Sequence, residues 1–408
     1  MNVVLVILLI VSICFLFYIV IPAVGAYFAR ERWRRFREKL VQVSFYPIID
    51  YSDLNREAGI PGNFRFFGNL EAIQGENRIW LTSGTTTIAA DLQNVSIYLI
   101  PSQTPLEQSP QKTSMQFEEV IPYQEPASIK WKRIFSLPEG TKIFIGGSLV
   151  IETVGGVFKS TQTEPLLVVI YDGEKKDILK RAIWCGRQKN EYWNQFTLVS
   201  LITGFFSLLI FAYILLQSPA MRIPALISLT LSLLPIAIFL PPGLPLFFAY
   251  RFLWKKARLL RAERDLLKLP LRYFNDGSST CGDGKKITML PDNKQYIMVK
   301  NSQMSSASFL PVQGNAKIRI CSLASVKSLK SQEYYLFGEY HSSADEEYIS
   351  EPEDPMAELI QIPGNPEKLA TACNRKAQLY TFFSGFFILA DLLVSFFLLF
   401  VILQFVFR

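Results

Sequence analysis

Four long stretches of this chain carry almost no charge, and between them lie short β-branched or aromatic runs cut by Gly, Pro, Asn and Asp. The apolar stretches are Val3–Ala29, Phe196–Gln217, Ile223–Tyr250 and Ala377–Phe407, and Asp391 is the one charge inside them. About 20 apolar residues cross a ~30 Å hydrocarbon core, so each stretch predicts a transmembrane helix. Val24-Gly25-Ala26 has the small residues of a signal-peptide cleavage site. No basic residue precedes the first stretch, however, and it exceeds the roughly 7–15 residues of a signal-peptide apolar region. It is read as an uncleaved anchor.

The intervening segments have strand character. Phe64–Phe67, Arg78–Leu81, Val95–Ile100, Lys142–Ile145, Ser148–Glu152 and Leu166–Tyr171 form one set. Lys286–Leu290, Gln295–Lys300, Lys317–Cys321, Glu333–Phe337 and Glu358–Ile362 form the other. Glycines and prolines at the turns separate them. The fold class that follows is an α+β membrane protein. It has four transmembrane helices and two small β-rich juxtamembrane domains, each a twisted sheet or a partly open barrel. The expected organisation is a first transmembrane helix over 1–29, then a basic juxtamembrane helix and first β domain over 30–195. Transmembrane helices follow over 196–217 and 223–250, a second basic helix and β domain over 251–376, and a last helix over 377–407.

The same order of parts occurs twice, which suggests an internal duplication. Ser136-Leu137 stands ten residues before Gly146, and Ser328-Leu329 ten before Gly338. Glu164-Pro165 corresponds to Asp354-Pro355, and Gly204-Phe205-Phe206 to Gly385-Phe386-Phe387.

Composition agrees with a membrane protein. Of 408 residues, 50% are hydrophobic, 13% aromatic and only 19% charged, against about 25% charged in soluble domains. The net charge of +7 is concentrated beside the apolar stretches, which directs it at anionic lipid headgroups before nucleic acid. Arg30, Arg32, Arg34, Arg35 and Arg37 follow the first stretch; Lys255, Lys256, Arg258 and Arg261 follow the third. These are the candidate headgroup contacts. By the rule that basic flanks stay inside, all four helices place both β domains in the cytoplasm and both termini outside, in the cell membrane. Five scattered cysteines fit a reducing compartment.

Leu137-Pro-Glu-Gly-Thr-Lys-Ile-Phe-Ile-Gly-Gly-Ser-Leu-Val-Ile, followed by an apolar strand, a polar helix and an apolar stretch, resembles the end of the GIDE-type "beside a membrane" (BAM-like) domain. Phe67-Gly68-Asn69-Leu70-Glu71-Ala72-Ile73 resembles its opening strand. The likeness covers residues 64–210 and, more faintly, 285–400. In membrane-anchored ubiquitin ligases that domain lies between two transmembrane helices. The sequence carries no zinc-binding RING, so ligase activity does not carry over. A juxtamembrane interaction or sensing domain does. The family's ligases place the domain away from the cytosol, opposite to the charge reading.

No catalytic, cofactor or metal site assembles from motifs. Gly277–Lys286 lacks the Gly-Lys-Ser/Thr order of a phosphate loop and leads into a strand. His341 is the only histidine, and no Cys-x-x-Cys pair accompanies it. The acidic run Asp345–Glu358 reads as a solvated loop or a contact for a basic partner. Asp391 is the sharpest feature, because a carboxylate at mid-membrane costs at least about 2.5 kcal/mol. It is either a cation or proton group, a contact to a partner subunit, or a carboxyl satisfied by hydroxyls of Ser207, Ser228, Thr230 or Ser395. The prolines of the third stretch predict a kink or an unwound turn near Pro241–Pro245. The favoured function is a non-enzymatic scaffold or interaction module at the cytoplasmic membrane face, bound to lipid and to a protein partner or itself. The alternative is a subunit of a transporter or channel using Asp391.

Overall fold

The computed structural model describes residues 2–49, 62–100, 127–134, 136–152, 155–161, 165–188, 191–241, 243–274, 279–281, 285–290, 294–301, 319–320, 333–342 and 347–407. Ser328-Leu329, Cys321, Glu164, Asp345-Glu346 and the Gly282-Asp283-Gly284 turn lie outside them. The chain begins with α1 (Val3–Phe15), a π-helical turn (Leu16–Val20) and α2 (Ile21–Val43). Strands β1 (Gly62–Gln74), β2 (Arg78–Ser83), β3 (Thr86–Asp91), β4 (Ser96–Leu99), β5 (Ala127–Lys130), β6 (Lys142–Glu152), β7 (Gly155–Lys159) and β8 (Leu167–Ile170) follow. Then come α3 (Ile178–Gln188), α4 (Gln195–Leu216), α5 (Arg222–Ala237) and α6 (Gly243–Lys268). The second set is β9 (Ser279–Cys281), β10 (Lys285–Met289), β11 (Gln295–Asn301), β12 (Arg319–Ile320), β13 (Tyr334–Ser342), β14 (Glu347–Ser350) and β15 (Ile360–Pro363), and α7 (Pro366–Val406) ends the chain.

Four helical segments are long and apolar enough to cross a membrane: Val3–Val43, Gln195–Leu216, Pro219–Ala237 and Pro366–Val406. The chain divides into two compact units. The helical one takes Met1–Arg35, Asn190–Leu260 and Arg375–Arg408; the β-rich one takes Phe36–Lys189 and Arg261–Asn374. Both β segments therefore fall in a single unit.

In the helical unit, α1, α4 and α5 pack through Val6, Ile10, Leu208, Leu215, Met221 and Ala225. Asn194 starts α4 with a capping box, its side chain accepting from Phe196 N while Thr197 Oγ1 accepts from Asn194 N. Such a box satisfies donors that a helix start leaves orphaned. The third apolar stretch is two helices, because α5 stops at Ala237 and α6 starts at Gly243. The expected unwinding is there, just ahead of Pro245. The basic stretches expected as helices are helical: α2 carries Arg30–Leu40, and α6 runs on to Lys268.

In the β-rich unit, period-two alternation builds a barrel. Phe64 and Phe66, Ile79 and Leu81, Ile88 and Ala90, and Ile143 and Ile145 point into one core with Leu149 and Phe158. β1 pairs with β2 and β6, β2 with β3, β3 with β7 in parallel, and β7 with β6. That circuit closes five strands, with the order and single parallel pairing of an OB-type barrel. The first half of β6 also pairs with β8, and β8 pairs in parallel with β4. Closure removes the open edges that a sheet would otherwise expose.

The second sheet repeats part of this plan around β13. β11 lies along one side of β13; β15 and β14 share the other; β12 pairs in parallel with β15. β6 is flanked likewise, by β1 on one side and by β8 and β7 on the other, with β4 parallel to β8. The place of β2 is taken by β10, which precedes β11 in the chain instead of following it. Gly146 of β6 and Gly338 of β13, paired by the sequence comparison, both sit where a side chain has no room. A Cβ on Gly146 would overlap Val43, and one on Gly338 would come within 2.7 Å of Leu359.

Charged pairs tie the two β segments together. Arg65 of β1 meets Asp354 at 2.9 Å, with both side chains almost sealed from solvent. Lys180 of α3 meets Glu358, and Arg187 meets Asp265 at 2.6 Å. The described part of the acidic run is therefore no solvated loop. β14 is paired into the sheet, and Asp354 and Glu358 serve basic side chains of the first β segment.

Two outcomes follow from this packing. Gly146→Ala should lower stability by about 1–3 kcal/mol through overpacking, and adding Val43→Ala should restore part of it. Asp354→Ala strands the buried Arg65 charge and should cost about 3–5 kcal/mol, whereas Arg65→Met with Asp354→Leu should be close to neutral. Denaturant unfolding of the detergent-solubilised chain, followed by tryptophan fluorescence, measures both.

Candidate functional site

A helix passes its backbone hydrogen bonds from residue to residue, and proline has no N–H to give. The carbonyl of Ile238 would receive its bond from position 241 or 242, and both are proline. Leu240 N still bonds the Ala237 carbonyl at 2.9 Å, and Phe239 N the Ile236 carbonyl at 3.1 Å. The turn therefore tightens up to the prolines and leaves the Ile238 carbonyl at the break. α6 then restarts at Gly243.

Asp391 meets that break. It lies in the middle of the apolar part of α7 and is 0% exposed. Ala377, Ser384 and Ser395 are the other fully buried positions on its face, at the spacings that share one side of a helix. Phe387, Ile388 and Leu398 are partly covered, and Val394 is the exposed exception. The face thus turns toward the rest of the helical unit, as the sequence predicts for a buried carboxyl. Ser395 Oγ donates to Asp391 Oδ1 at 3.2 Å. Asp391 Oδ2 is buried with no hydrogen-bond partner.

Gly243 completes the geometry. A Cβ there would run into Asp391 Oδ1, and would lie 2.8 Å from Ser395 Oγ and 3.1 Å from the Ile238 carbonyl oxygen. Three oxygens of different chemistry thus converge on the first residue of α6, and only glycine lets them approach. The remaining hydroxyls do not reach the carboxylate. Ser228 donates to the Leu208 carbonyl, Thr230 to Leu226 and Ser232 to Leu229. Of the hydroxyls named from sequence, Ser395 is the one that bonds Asp391.

The π-helical turn is a second irregularity in the helical unit. Extra backbone slack of this kind often marks functional sites. Ser200 donates to the Phe17 carbonyl inside it, and Tyr18 donates to the Ser232 carbonyl at 3.3 Å, three residues before Pro235.

The basic candidates divide by environment. Arg30, Arg32, Arg34, Arg35, Lys255 and Lys256 are exposed, and Arg37 and Arg261 are partly covered. Arg34 and Arg35 pair with Glu31, and Lys256 lies over the Phe252 ring. Arg258 differs. It is buried, pairs with Glu191 at 3.2 Å and stacks on Trp254, so its guanidinium is turned into the protein.

Elsewhere the chemistry is structural. His341 sits between Ser350 Oγ at 2.7 Å and the stacked ring of Tyr348. Lys285, after the glycine-rich turn, enters a strand and pairs with Glu347 at 2.9 Å. Among the described residues, no three His, Cys, Asp or Glu side chains gather as a metal site. A cleft in the β-rich unit offers about 40 Å³, lined by Lys176, Lys180, Arg272, Tyr273, Tyr296 and Glu358. A water needs about 10–15 Å³ of such space, so it takes a few waters. Its cations are already engaged: Lys176 with Glu174, Lys180 with Asp177 and Glu358, Arg272 with Tyr273.

Burial raises the phenol pKa of Tyr171 to about 12, and pushes those of Tyr273 and Tyr296 up as well. The folded β-rich unit therefore holds these protons more tightly than the unfolded chain, where the value is near 10. The Tyr171 contribution to stability is complete below pH 10 and is lost as pH climbs through about 12. Tyr171→Phe should flatten the fall of stability across that window, read by unfolding midpoints alongside tyrosinate absorbance. Comparison with protein families, with curated proteins and with solved structures finds no match to this chain.

Proposed function

We propose that this chain is a multi-pass membrane protein of the cell membrane and a subunit of a transporter or channel, in which Asp391 is the group that meets the ion. The observation that carries this reading is the buried, unpartnered Oδ2 of Asp391 beside a broken helix. A carboxylate that only packed would have its oxygens satisfied, since an unpaired buried charge is costly. A carboxylate that only recruited another subunit would be open on the chain's own surface, and this one is enclosed by its own helices. Broken helices that bring a carbonyl and a helix start to one point are the usual architecture of ion sites in membranes. The basic flanks support a cytoplasmic position for the β-rich segments. The shared plan around β6 and β13 supports a duplicated origin.

The scaffold reading has its own support. Only 11% of the first and fourth apolar windows is buried, which leaves broad apolar faces for lipid or a partner chain. The two readings part on Asp391→Asn, which keeps the shape of the side chain. Reconstituted in liposomes, the wild-type chain should dissipate an imposed cation or proton gradient. Asp391→Asn should elute and assemble as wild type yet lose that flux at least tenfold. Equal flux in both proteins would sink the transport reading and leave the scaffold.

A further inference from the structure

We propose that the Asp391 site binds a monovalent metal cation, through the Asp391 carboxylate, Ser395 Oγ and the Ile238 carbonyl. This inference rests on the reading of Asp391 as an ion-meeting group and names the class of ion, for which sodium serves as the probe.

The donor set is made of oxygen alone. Asp391 Oδ1, Ser395 Oγ and the Ile238 carbonyl oxygen all lie within 3.1 Å of the position that a Gly243 Cβ would occupy. Oδ2 belongs to the same carboxylate and is buried without a partner. The Ile238 carbonyl lacks its helical donor because Pro241 and Pro242 have no N–H. Carboxylate, carbonyl and hydroxyl oxygens are the ligands that hard cations take.

Charge selects the valence. The site has one carboxylate, and among the described residues no cluster of acidic, histidine or cysteine side chains joins it. A monovalent ion brings the site to neutrality, whereas a divalent ion would leave an uncompensated positive charge enclosed by apolar helices. The two helix ends divide the work. The negative C-terminal end of α5 lies beside the site, and the positive N-terminal end of α6 lies beside the carboxylate. Gly243 sets the aperture, since any side chain there displaces Oδ1 from the other oxygens.

Thermal unfolding of the purified full chain in detergent tests this, at fixed pH and with sodium exchanged for choline at constant ionic strength. A ligand that binds only the folded state raises the melting temperature by mass action. Sodium should raise the Tm of wild type by several degrees with a saturating dose dependence. Asp391→Asn should abolish the shift. Ser395→Ala, the milder change, should move its midpoint to at least tenfold higher sodium, and Gly243→Ala should abolish it while helical content stays unchanged by circular dichroism. A wild-type Tm that follows pH but ignores sodium overturns the metal-cation assignment and leaves Asp391 as a proton site. A sodium shift retained in full by Asp391→Asn also overturns it. If Asp391→Asn, in addition, conducts as wild type in liposomes, the transport reading falls with it.

Discussion

Backbone groups enclosed by apolar helices must find partners inside the protein, and in this chain two adjacent prolines remove both helical donors from one carbonyl. The third apolar stretch therefore cannot be one helix. α5 ends at Ala237, α6 starts at Gly243, and the freed Ile238 oxygen needs a partner. The fourth helix brings Asp391 and Ser395 to that point. A carbonyl without its helical donors and a buried carboxylate repel rather than satisfy each other, so a positive group between them would stabilise both. The proposed ion site is the consequence of that one missing pair of donors.

The β-rich unit meets the same requirement in the opposite way, by pairing strands until few edges remain. β6 and β13 are the keystones, each flanked by one long partner and two short ones. In both strands a glycine sits where the neighbouring layer comes too close for a side chain, at Val43 in one and at Ile349 and Leu359 in the other. The two sheets are joined by charge. Arg65 and Asp354 are sealed in the unit, and two guanidinium nitrogens of Arg65 remain without partners. A pair of that kind adds little net stability, but removing one member is expensive.

The basic helices α2 and α6 connect the apolar stretches with the β-rich unit in sequence. Their long side chains suit the boundary between hydrocarbon and water, where stems can lie on apolar surface while charges reach headgroup phosphates. Arg258 shows that the pattern is not uniform. Its stem and charge are both drawn inward by Trp254 and Glu191. Arg30, Arg32 and Lys255 are exposed and so remain free to reach a headgroup, whereas Arg258 is not.

Much of the architecture was legible in the residues themselves. Apolar length is a local property, so four membrane-competent helices, the helical extensions at Arg30–Leu40 and Arg251–Lys268 and the break among the prolines could be read directly. Strand alternation is local too, and it marked Phe64–Phe67, Lys142–Ile145 and Leu166–Tyr171 as sheet. What alternation cannot encode is which strand lies beside which. The closed circuit β1-β2-β3-β7-β6 depends on pairings between residues up to 87 positions apart, as in Gly62 with Leu149. The acidic segment read as solvated because its composition is polar, yet Asp354 and Glu358 are held by Arg65 and Lys180 from the other β segment. Asp391 was conspicuous from sequence as a charge where none belongs. Its partners were not, because Ile238 and Gly243 are ordinary apolar and small residues whose meaning arises only when α7 packs against the break. The type of each element came from neighbours in the chain; the site came from neighbours in space.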